Sequence, residues 1–158
     1  DAQESRGLGD VYKRQDMGNA VFVAAMLELP TMAFFTKMSE KINCGTLIKF
    51  SILMFVVKHA LTYFATNMIM IYLAQVCQMF AYALFVPASV YYVNKKIAVA
   101  DRVKGQSLVT TSMTLSGVFA NFAGGIMLDA LGVGHVLLAG VVLSIVGAVI
   151  VISMTEKV

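Results

Sequence analysis

The chain has 158 residues, of which 59% are apolar and only 13% charged, where a typical soluble domain has roughly 25% charged. Leu, Ile, Val, Met and Phe run together for nearly the width of a bilayer instead of forming amphipathic stripes, which excludes an ordinary soluble core. The net charge of +3 lies almost wholly between those runs, so no basic face for nucleic acid is expected.

Residues 1–16, DAQESRGLGDVYKRQD, are polar and unlike the rest. The piece DVYKRQ looks like the translation of a transposon end used in preparing sequencing libraries. Residues 1–16 are therefore expected to be a non-native leader, the alternative being a genuine extramembrane tail. Residues 17–158 then hold five membrane spans, at 19–35, 46–65, 68–93, 106–128 and 135–154.

Span 19–35 carries one carboxylate, Glu28, two residues before Pro30. A charge at mid-depth costs about 2.5–3.5 kcal/mol on insertion scales, so it needs a reason. Pro30 cannot donate to the carbonyl of Met26, and the helix is expected to kink or loosen there. Glu28 can bind a proton or a solute in a cavity, pair with a cation on another helix, or lie shallower than it looks. A low-dielectric site disfavours its charged form, which suits it to loading and releasing a proton.

Span 46–65 follows a loop with Lys37, Glu40 and Lys41. It holds a buried cation, Lys58, on one face with Ser51 and Thr62. A buried ammonium wants a partner, and Glu28 is the obvious one if the two faces meet. His59 falls on another face, where a hydrogen-bonded packing role is the simpler reading.

Span 68–93 has a polar stripe at helical spacing, Gln75, Gln78, Tyr82 and Ser89, and a second proline, Pro87. The two glutamines can bond a hydroxylated or amide-bearing ligand, or simply another helix. The following loop carries Lys95, Lys96, Asp101, Arg102 and Lys104. Span 106–128 sets Thr110, Thr114, Gly117, Asn121 and Gly124 on one small, polar face that suits close helix packing. Span 135–154 is nearly all apolar, with Gly140 and Gly147 for packing.

Lys and Arg crowd the loops after the first and third spans and are missing from the turns after the second and fourth. This alternation puts the basic loops and the C-terminus in the cytoplasm. Cys44 and Cys77 have no CxxC spacing and read as a loop thiol and a packed small residue. No nucleophile–base set, phosphate loop or metal-ligand cluster is visible, so neither an enzyme nor a cofactor is expected.

The order of spans resembles the C-terminal half of a major facilitator superfamily transporter, from its eighth helix to its twelfth. The matching pieces are LEL around Glu28, FVVKHALTYFATN around Lys58, AQVCQMFAYALFVPASVYYV, DRVKGQSL and GGIMLDALG. Within the superfamily they look most like the sugar/proton symporter branch of lactose permease and its nucleoside-permease relatives. The resemblance implies an all-α membrane fold of two six-helix halves built from inverted repeats, sited in a bacterial plasma membrane. It implies a chain that lacks the first half and the seventh helix and does not transport alone. It also implies proton-coupled symport of a small polar solute (a sugar, nucleoside or organic acid), with the bilayer, the solute, the proton and the other half of the polypeptide as partners.

In that branch the acid at the position of Glu28 binds sugar and helps couple the proton, and an arginine stands at the position of Lys58. A histidine normally stands at Gln78, and in lactose permease an acid at Ala81. Both are missing here, so sugar specificity does not carry over and coupling would fall on Glu28 with Lys58. The rival readings are an efflux antiporter and a non-transporting five-span scaffold. An intramembrane enzyme is the weakest of the alternatives.

Overall fold

The computed structural model describes residues 2–156, with backbone only at residues 2–14, 16, 17, 20, 24 and 27. Five helices follow in order: α1 (Ala2–Lys41), α2 (Cys44–Tyr63), α3 (Met68–Lys96), α4 (Arg102–Leu131) and α5 (Val133–Met154). A single 3-10 turn, Val99–Asp101, precedes α4, and no strand occurs among the described residues. All five helices contain a stretch long and apolar enough to cross a membrane. The all-α membrane architecture expected from the runs is therefore the one observed.

The apolar runs place the helices well but understate their length. α1 continues through residues 36–41, α3 reaches Lys96, and α4 begins at Arg102, so most of the two expected basic loops is helical. Lys, Glu and Arg are good helix formers, and near a membrane a helix keeps its backbone satisfied where a loop would not. Pro30 and Pro87 both lie inside continuous helices and do not end them. Lys157 lies outside the described residues.

Two links have clear local causes. Asn67 caps α3, its side-chain oxygen accepting from the Met70 amide at 3.0 Å. Between α4 and α5 the expected turn of residues 129–134 shrinks to Gly132 alone, at φ 81° and ψ 172°. That region of backbone space is open essentially to glycine only.

α3 is the central helix and packs on both α1 and α2, while α5 packs on α2. Its buried positions are mostly small: Ala74, Ala81, Ala83, Ala88 and Ser89, with Leu84 the one large side chain. Small residues let membrane helices approach closely, which is where packing attraction comes from when lipid is the solvent. The apolar core gathers Phe35 of α1, Leu47 and Ile48 of α2, and Leu84 and Ala88 of α3, with Val151 of α5 against it. Phe35 meets Tyr91 edge-on at 5.3 Å between ring centres.

α4 stands apart. Gly105 is its only buried residue, close under Val93 and Ile97 of the α3 side. The face expected to pack closely does not do so among the described residues. Gly117 and Gly124 have nothing near them, and Asn121 is exposed. Elsewhere the exposed side chains are largely apolar, as lipid-facing surfaces require.

Candidate functional site

Three helices each bring one polar side chain to the same place within the membrane-spanning bundle. Lys58 of α2 donates from Nζ to Oε1 of Gln78 at 2.5 Å. Gln78 of α3 donates from Nε2 to Oε1 of Glu28, on α1, at 3.3 Å. All three are half-buried. The chain of bonds works because α3 packs between its neighbours, with Ala74 and Ala81 fully buried one turn either side of Gln78. Larger residues there would push the backbones apart and leave each polar group alone in lipid.

The orientation of the amide is fixed by chemistry. An ammonium can only donate and a carboxylate can only accept, so the oxygen of Gln78 faces Lys58 and its nitrogen faces Glu28. Glu28 and Lys58 thus do converge, but not as the direct pair the sequence suggested. Among the described residues the ion pairs are Lys96–Glu156 and Lys104–Asp101, both at helix ends. Gln78, read from sequence as a ligand for solute or another helix, is the residue that joins the two charges.

The remaining expected site residues lie along the same stripe without entering the chain. Gln75 is half-buried and makes no hydrogen bond among the described residues. Tyr82 is exposed into a groove of about 870 Å³ between α2, α3 and α4, beside Phe55, His59 and Phe85 and across from Ser112 and Ser116. His59 donates from Nδ1 to the Phe55 carbonyl at 2.7 Å, since a carbonyl can only accept, and its ring packs over Phe55. It also touches the α2–α5 crossing, where a methyl group on Gly140 would sit 3.3 Å from its ring. Ser51, grouped with Lys58 by spacing, is fully buried and bonds back to the Ile48 carbonyl, a packing role.

Reading by residue type missed the aromatic lining of the groove. Phe55 and Phe85 meet edge-on at 6.2 Å across α2 and α3. In a chain this apolar their spacing does not distinguish them from lipid-facing aromatics. At one end of the bundle Lys96 bonds Glu156, and the Glu156 amide reaches the Tyr92 hydroxyl at 3.4 Å. The ends of α3 and α5 therefore lie on the same side. The hydrogen bond from Lys96, with the attraction of its charge, holds the Glu156 carboxyl below the usual carboxylate range.

A bundle of apolar, bilayer-length helices with a carboxylate, an amide and an ammonium joined across three of them defines a polytopic membrane protein with a polar interior. The particular family follows from comparison. The chain matches the family model described as Major Facilitator Superfamily over residues 8–157, nearly its whole length, and it belongs to that family. Its general role is accordingly membrane transport. No curated protein and no solved structure was found to match it.

Proposed function

We propose that this protein takes part in secondary active uptake of a small polar solute by proton symport, with Glu28 as the carboxylate that loads and releases the proton. The observation that carries the reading is the Glu28–Gln78–Lys58 chain. Charged groups inside membrane spans are costly and serve mainly substrate and proton pathways. Among the described residues each member also keeps spare capacity. Glu28 uses one oxygen toward Gln78 and Lys58 one of its three donors, while Gln75 and Tyr82 lie on the same stripe. Such a set suits a solute with several donors and acceptors, such as a sugar or a nucleoside. In this reading residues 17–158 act as helices eight to twelve of a twelve-helix transporter, in a bacterial plasma membrane with the C-terminus cytoplasmic.

The test uses the polypeptide as its gene encodes it, reconstituted in vesicles with a pH-sensitive dye inside. A monosaccharide, a nucleoside and an organic acid are offered in turn. One of them should accumulate against its gradient and move protons with it, and Glu28→Gln should abolish both. Accumulation that survives Glu28→Gln removes the proposed role of this carboxylate. Proton movement opposite to the solute establishes antiport instead.

A further inference from the structure

We propose that Gln78 is a positioning residue, a spacer that keeps Glu28 and Lys58 from closing into a direct ion pair. The proposal rests on the transport reading for its purpose, since open charges are what a proton or solute needs, but its geometry stands alone. Gln78 comes from α3, the helix packed against both α1 and α2, and its amide bonds one charge through its oxygen and the other through its nitrogen. It satisfies each charge by one hydrogen bond, with its oxygen 2.5 Å from Lys58 and its nitrogen 3.3 Å from Glu28. In a medium of low dielectric an ammonium and a carboxylate this near would otherwise be drawn into contact. Lys58 has four flexible methylenes with which to close the distance. Packed between them, an uncharged amide of this length prevents the closure, and neither ion is left bare.

Among the described residues no other charged side chain takes part in this chain of bonds. Among the described residues of the apolar spans, α4 and α5 bring no acid or base to this place. Tyr82 and His59 line the groove between α2, α3 and α4. Among the described residues Gln78 is thus the side chain that bonds both ions.

A membrane-permeant carbodiimide tests this without any solute. The Glu28 carboxylate adds to the carbodiimide carbon while a carbodiimide nitrogen takes up a proton, giving an O-acylisourea. If Lys58 Nζ is in contact, it gives up its ammonium proton and attacks the acyl carbonyl, the urea leaves, the nitrogen loses a second proton, and an isopeptide bond joins α1 to α2. In the native membrane-embedded chain Glu28 should be modified by the reagent alone, with little Glu28–Lys58 cross-link by peptide mass spectrometry. In Gln78→Ala the cross-link should rise at least about tenfold, because contact makes the reaction intramolecular. Gln78→Asn, whose amide is too short to reach both ions, should also raise it and serves if the alanine variant does not fold. Gln78→Leu keeps the bulk between the ions and should stay near the native yield.

Equal cross-linking in the native chain and in both short variants would overturn the spacer. So would a high yield in the native chain. If the contrast appears but the vesicles show no solute-coupled proton movement, the transport reading fails and the spacer stands.

Discussion

Lys58 reaches Gln78 and not Glu28: the ammonium donates to an amide oxygen, whose own nitrogen goes on to the carboxylate. Three helices are thereby tied together by groups that each have a partner. The consequence of removing one of them depends on which face of the amide is left open.

Lys58→Met should be the more damaging change at this site. It leaves Oε1 of Gln78 without its donor in a half-buried position, and an unmet acceptor costs up to about 1–3 kcal/mol. Glu28→Gln retains an oxygen that can accept from Nε2 of Gln78, so the fold should change by less than about 1 kcal/mol. Thermal unfolding in detergent separates the two. Equal destabilisation by both substitutions would contradict the chain of bonds.

Much of this architecture was open to reading from the sequence, and the reasons are physical. Bilayer-length apolar runs mark α2 and α5 almost to their ends, and the start of α3, because in lipid a span must be both apolar and helical. The ends of α1, α3 and α4 were less legible, since Lys95, Lys96, Arg102 and Lys104 look like loop residues but continue the helices. The convergence of Glu28 and Lys58 could be anticipated from the cost of burying each alone. The interposed Gln78 could not, because it depends on how close the small residues Ala74 and Ala81 bring α3 to its neighbours. Nor does any local pattern reveal that the Thr110–Gly124 face of α4 stays open.

Gly132→Ala should destabilise the α4–α5 connection by about 1–3 kcal/mol, the usual cost of forcing a side chain into so sparsely populated a backbone conformation. Space is not the cause, since nothing lies near the added methyl group. Gly117→Ala, also in open surroundings but inside a helix, is the control and should stabilise slightly or do nothing. Unfolding midpoints of the two variants measured side by side decide the point.

Asn67→Ala should loosen the start of α3 by about 1 kcal/mol, since the Met70 amide then loses its acceptor. Asn67→Asp keeps an accepting oxygen and should retain most of the stability. Hydrogen exchange at the Met70 amide reports the effect directly, and unchanged protection in the alanine variant would contradict the cap.

Leu84→Ala probes the core where α1, α2 and α3 meet. In water-soluble cores such a change costs about 2–5 kcal/mol, through transfer of the side chain from water plus the cavity left behind. Here the unfolded reference is solvated by lipid and the transfer part largely disappears, so only the lower part of that range is expected.

The Lys96–Glu156 pair should give stability a pH dependence on the acid side. The folded-state carboxyl of Glu156 is held below its ordinary range, chiefly by the hydrogen bond from Lys96. A depressed carboxylate contributes its stabilisation above the ordinary range and loses it as pH falls through the lowered one. Both partners are exposed, so the effect is small and is screened by salt. Comparing native chain with Glu156→Gln, the difference in melting temperature should be present at neutral pH, shrink on acidification and shrink again in high salt. A difference that grew toward acid pH would mean that Glu156 is stabilised in its protonated form and that the contact with Lys96 does not hold the ends of α3 and α5 together.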